Sequence, residues 1–303
     1  MNIWQPDPDE NMVARSSVAF ATGAASRVKG MRWFRDTERH DIQDELAGWP
    51  AGPSFTPHTS TGSAAQKTLL GAAKVAGVAV MALLSSAGGN VTGTSVAPSE
   101  EGTDTPDEPT NEVDDFPVMW AAPMTKARSL PWQLDPGRMK RKNGHTHLIV
   151  TDQRLVVVLL SVRERVFEDE VVWECPLTEI EAVTPRNFKE GNDFTITFKD
   201  GSWSRLCSSG RQQLMRYLAP PRDLIPLETL PPSQRQAVLE FTAETENSDS
   251  APANITRNPT GRLRVEILLP ARLTPAFGIA EMRITLDAEG RRVDIDDYLP
   301  GDF

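Results

Sequence analysis

The sequence predicts a mainly β fold with accompanying helices, an α+β protein whose strands run antiparallel. Three observations carry this. β-Branched runs at 145–152, 154–162 and 171–177 are separated by short polar stretches. An Asp200-Gly201 pair sits between alternating apolar residues, a strong hairpin signal. An amphipathic stretch at 211–218 then ends at Pro220 and Pro221.

Taken in order, residues 1–63 read as mostly disordered, with a helix over 13–33. Val13, Ser17, Phe20, Ala24 and Val28 fall near one stripe there, and Arg15, Arg27, Lys29 and Arg32 give it a positive balance. Turn formers at 48–63 mark a linker. Residues 64–87 form an apolar helix, with Leu69, Leu70, Val75, Val78, Met81, Leu83 and Leu84 as its contact residues. Lys74 interrupts the apolar run. The segment therefore packs on protein, lies at a membrane surface or spans a membrane, and its length alone leaves all three open. Residues 88–115 carry many carboxylates and no Lys or Arg, the composition of an acidic disordered linker.

The β domain occupies 116–219. Phe194, Ile196 and Phe198 alternate with threonines and Lys199, so one face of that strand is buried and the other is wet. Leu214, Met215 and Leu218 share a face of the closing helix. Residues 220–258 read as a Pro-rich polar linker with a helix over 233–246. Residues 259–303 form a C-terminal β-hairpin unit with strands at 262–270 and 280–295. Whether that unit joins the main sheet is not decided by pattern.

The segments THLIVTDQRLVVV, WECPLTEIEAV and DFTITFKDGSW, in this order, resemble the bacterial PH-like and GRAM-like domains. The matching positions are Thr151, Asp152, Arg154 and Leu155, then Pro176, Leu177 and Ile180, then Asp200 and Gly201. The resemblance covers about a third of the chain. It implies a PH-like antiparallel β-barrel or sandwich capped by a C-terminal helix, acting as a recognition module for lipid headgroups or proteins. In lipid-binding relatives of that fold, the loop between the first two strands supplies cations to phosphates. Here that loop holds Arg138, Lys140, Arg141 and Lys142, and Lys126 and Arg128 add to the patch.

The net charge of −10 disfavours non-specific nucleic-acid binding. No P-loop, nucleophile elbow or dinucleotide motif is present, which argues against catalysis. His145 and His147 alternate on a strand without a nearby third ligand, and Asp294, Asp296 and Asp297 read as a wet face, so no metal or other cofactor is expected. Cys175 and Cys207 lack Cys-x-x-Cys spacing and read as buried thiols of a reducing compartment. Trp120, Trp132, Trp173 and Trp203 supply large fillers for a small core, with Trp132 beside the basic loop. The N-terminus has no secretory h-region, which predicts a cytoplasmic chain that meets the inner face of the plasma membrane where it is peripheral. The expectation is a non-catalytic adaptor whose PH-like domain is recruited to an anionic membrane surface. The alternative is a protein–protein scaffold using the barrel and the apolar helix.

Overall fold

The structure, a computed structural model, describes residues 3–21, 33–51, 117–139, 144–163, 166–186, 192–245, 252–269 and 281–302. The predicted apolar helix of 64–87 and acidic linker of 88–115 lie outside the described residues.

The fold is mainly β with helices, in three sheets. The first has the order β1–β5–β6–β7, from Met12–Ser17, His145–Thr151, Arg154–Arg163 and Val166–Pro176. The second has the order β3–β4–β10–β9–β8, from Trp33–Arg35, Pro117–Trp120, Trp203–Cys207, Asp193–Phe198 and Ile180–Pro185. The short strand β2 (Ala19–Phe20) pairs with β10 off that path. The third sheet is β11–β12–β13, from Asn254–Arg257, Leu263–Leu268 and Glu281–Leu286. Helix α1 is Arg211–Leu218 and helix α2 is Pro232–Thr245. Among the described residues the sheets do not close into a barrel, and β3 runs parallel to β4, so these residues depart from the expected all-antiparallel closed form.

The first and second sheets enclose one apolar core, in which Leu148, Val150, Leu155 and Val157 meet Phe194, Ile196, Phe198 and Leu206, while Leu214 and Leu218 of α1 close one side. The Asp200-Gly201 turn is built as its residue types require. Gly201 holds φ +82°, where a side chain is strained, and the Asp200 carboxylate accepts from the Ser202 amide at 2.9 Å and hydroxyl at 2.6 Å.

The N-terminal region corrects the sequence reading. Residues 12–20 are strands, not the start of a helix, and they cross from one sheet to the other: β1 pairs with β5 and β2 with β10. Helical spacing misled because Val13, Ala14, Arg15 and Ser16 are all buried and the register shifts between Met12 and Ala14, which erases strand alternation. Residues 3–11, expected to be disordered, lie across the outer face of the first sheet. Trp4 and Met12 pack on Ile149, Val156 and Val158 there, and the Glu10 carboxylate takes the Thr151 hydroxyl at 2.6 Å and Arg154 at 2.8 Å. Burial pushes the Glu10 carboxyl up, but Arg154, Thr151 and the Asp7 backbone outweigh it and hold it below its ordinary value. The domain thus begins near residue 12, not at 116.

The C-terminal strands form their own sheet. Its apolar face, Ile255, Leu263, Val265, Ile267 and Leu286, is covered by Val238 and Phe241 of α2 together with Leu230. Its other face is polar and buried, as described next.

Candidate functional site

The three cations of the assigned anion-binding patch that the structure describes, Arg138, Lys126 and Arg128, are engaged within the protein. Arg138 ion-pairs with Asp135, both side chains essentially inaccessible at 1% and 0%. Its other nitrogens donate to the Pro50 carbonyl at 3.1 Å and Gln43 Oε1 at 2.8 Å, and its guanidinium lies 4.9 Å over the Trp49 ring. Phe20, Phe34 and Trp49 pack in one aromatic cluster, largely edge to face, with centroids 5.2–5.8 Å apart. A guanidinium set this way is a packing element, because its donors are satisfied and its planar face is covered. That corrects its sequence assignment as a phosphate-gripping loop residue. Lys126 pairs with Glu179 at 2.7 Å and Arg128 with Glu45 at 2.8 Å. Lys140, Arg141 and Lys142 lie outside the described residues, as do Leu69, Leu70, Val75, Val78, Met81, Leu83 and Leu84 of the apolar segment.

His147 is buried, and its Nδ1 accepts from Arg15 Nε at 3.1 Å, while His145 is exposed. No group of three His, Cys, Asp or Glu side chains that could hold a metal occurs among the described residues. Asp294, Asp296 and Asp297 are exposed around the turn Ile295–Asp297. Trp173 is in the core and donates to Ser129 Oγ at 2.9 Å, whereas Trp120, Trp132 and Trp203 are half-buried. Cys175 is buried, and burial pushes its thiol up to about 11, so it stays protonated at neutral pH. Cys207 is free and half-buried.

Two features were missed at the level of sequence. The first is the far edge of β7, where no strand pairs among the described residues. Glu168, Glu170 and Val171 are exposed along this strand, and the two carboxylates make no ion pair with a described residue. Asp169, by contrast, is drawn inward and held by Arg15 in two hydrogen bonds of 2.7 Å.

The second is a buried ionic seam between α1 and the polar face of the third sheet. Cross-strand pairing sets Asn254 beside Glu266 and Glu266 beside Arg283, and in the next row Thr256 beside Arg264 and Arg264 beside Thr285. Arg216 and Tyr217 of α1 descend onto these rows. Arg216 Nη1 donates to Glu266 Oε1 at 2.6 Å and Glu281 Oε1 at 3.1 Å, and the Tyr217 hydroxyl donates to Glu266 Oε2. Arg264 Nε donates to Glu266 Oε1, and its Nη1 to the Asp302 carbonyl at 3.1 Å. Burial pushes the Glu266 carboxyl up, but Arg216 and Arg264 overcome it and hold the group below its ordinary range. Burial, reinforced by the Glu266 charge, drives the Tyr217 hydroxyl well above its own. The readable signal was the alternation Arg262, Arg264, Glu266 against Leu263, Val265, Ile267, which announces a strand with one polar face. That this face is buried depends on α1, forty to fifty residues earlier.

No family model, curated protein or solved structure matches the chain. No helix among the described residues is long and apolar enough to cross a membrane.

Proposed function

We propose that this chain is a non-catalytic scaffold built on a PH-like module, and that it binds an extended, basic segment of a partner protein along the open edge of β7. The PH-like reading is supported by two facing sheets whose strands arrive in the order β5 to β10 and are followed at once by α1. The observation that carries the binding reading is an 11-residue strand with no described neighbour on one side and exposed carboxylates at Glu168 and Glu170. An unpaired strand edge offers backbone donors and acceptors to another strand. Like charges disfavour pairing of two copies of this edge, whereas a Lys- or Arg-bearing strand gains cross-strand attraction. The membrane reading is weakened by the internal use of Arg138, Lys126 and Arg128.

The test is fluorescence anisotropy of a labelled peptide alternating lysine and valine, titrated with the full-length chain. Binding should be salt-sensitive and should weaken about tenfold or more in the double variant Glu168→Lys/Glu170→Lys. Undiminished affinity in that variant would remove the edge as the site. Co-sedimentation with anionic vesicles that is abolished by Lys140→Glu/Arg141→Glu/Lys142→Glu would instead favour membrane recruitment.

A further inference from the structure

The seam between α1 and the third sheet holds more positive charge than its carboxylates balance. Arg216, Arg264 and Arg283 surround Glu266 and Glu281. Arg222, just past α1, feels the same cluster, its guanidinium held below its ordinary value by burial and by repulsion from Arg264 and Arg216. Arg283 is lowered by the same causes in the same order. Among the described residues, three guanidinium groups thus stand against two carboxylates, with Arg222 beside them and bonded to Asn258 Oδ1 at 3.3 Å. The remaining nearby acid, Asp302, is committed elsewhere, to Arg262 at 2.6 Å and to Thr260. Gln213 takes up Glu281 Oε2 at 2.8 Å without adding charge.

The hydrogen-bond pattern points the same way. Arg216 Nε, Arg264 Nη2 and Thr285 Oγ1 are each shielded from solvent and make no hydrogen bond to a described residue. Arg264 and Thr285 are direct cross-strand partners on the polar face of the third sheet, and Arg216 reaches that face from α1, where it bonds Glu266. Arg264 Nη2 comes only within 3.7 Å of Glu281, too long for a hydrogen bond. Leaving a buried donor without an acceptor is costly, and leaving charged ones so is more costly still. Two guanidinium N–H groups and a hydroxyl, in a local excess of positive charge, are the donor set that oxyanions recruit.

We propose that this seam is an anion site, taking one phosphate-type oxyanion against Arg264, Arg216 and Thr285, with Arg283 and Arg222 at its partly exposed rim. The ligand would join α1 to the third sheet, so occupancy would stiffen the contact between the two units of the fold. This site is separate from the β7 edge and does not depend on it.

The experiment is thermal unfolding of the full-length chain in inorganic phosphate against sodium chloride of equal ionic strength, with titration calorimetry for stoichiometry. Phosphate should raise the midpoint by about 3 °C or more and bind one per chain. The double variant Arg222→Gln/Arg283→Gln, which alters only the partly exposed rim, should fold and lose most of that response. Thr285→Val, which keeps the shape and removes the hydroxyl, should weaken phosphate binding several-fold. An equal midpoint in chloride and phosphate, or an undiminished response in the rim variant, would overturn the proposal. Glycerol phosphate in place of phosphate distinguishes the sources: response to phosphate alone marks an enclosed site for the free ion, and response to both marks one open to phosphomonoesters.

Discussion

Replacing Glu266 by alanine is expected to cost about 3–5 kcal/mol and to release the third sheet from α1. Among the described residues the carboxylate is the one anion shared by Arg216, Arg264 and Tyr217, and its side chain is 1% exposed. Its removal leaves Arg216 and Arg264, both desolvated, to share Glu281 at 3.1 and 3.7 Å as counter-charge, a larger penalty than the net worth of the lost pairs themselves. Glu266→Gln keeps the shape and part of the hydrogen bonding and should lie between wild type and alanine. Urea denaturation read by limited proteolysis of the C-terminal unit checks this. A wild-type midpoint and cleavage pattern for Glu266→Ala would show that the two units hold together without the seam.

The same carboxylate sets an acid limb. Its folded pKa is depressed below the ordinary carboxylate value, so its contribution is complete above that ordinary value. As pH falls through the folded pKa, the contribution is lost, because the unfolded chain takes up the proton first. In Glu266→Gln there is no proton to take up, and the decline of stability below about pH 4.5 should be shallower. Wild-type and variant midpoints measured across pH 3–6 in the same ionic strength, on the order of 0.1 M, provide the comparison.

What could be read from sequence was local, and what escaped was set by distant partners. The Asp200-Gly201 hairpin, the β5 and β6 runs and α1 each carry their signal within ten or so residues, as turn chemistry or periodicity. The helix predicted at 233–246 is found at Pro232–Thr245 for the same reason. β1 carries no such signal. Arg15 looks like a surface cation until β7 supplies Asp169, 154 positions away, and β5 supplies His147, 132 positions away. Arg138 sits in a basic run that reads as solvated, yet its partners are Asp135 nearby and Trp49 and Pro50 far upstream. Charge in a sequence does not say which side of a sheet it will face. The candidate site suffered most, because both the β7 edge and the ionic seam are defined by what does or does not pack beside them.

The correction at the N-terminus has the larger consequence. A fragment of residues 116–219, the span that resembles a PH-like domain, is expected not to fold by itself. It lacks β1, which completes the first sheet, and β2, which pairs with β10. It also lacks Val13, Ala14, Val18, Phe20, Phe34, Ile42 and Leu46, all buried in the shared core. Burying a large apolar side chain stabilises by about 1.5–3 kcal/mol, so the loss of several exceeds the roughly 5–15 kcal/mol by which a domain is stable. Without Arg15 the inaccessible Asp169 has no counter-charge, and without Trp49 one face of the Arg138 guanidinium is uncovered. Circular dichroism and amide exchange of the fragment should show no cooperative transition and little protection. Within the full chain, Arg15→Ala isolates the electrostatic part and should cost about 3–5 kcal/mol. A fragment that unfolds cooperatively would mean the first sheet is stable with β5 at its edge, and would demote β1 to an accessory strand. The outcome also fixes how the chain is assembled: strands and core residues from 12–46 essential to a core whose other described members lie from residue 118 onward make the folding of this domain depend on contacts across more than a hundred residues.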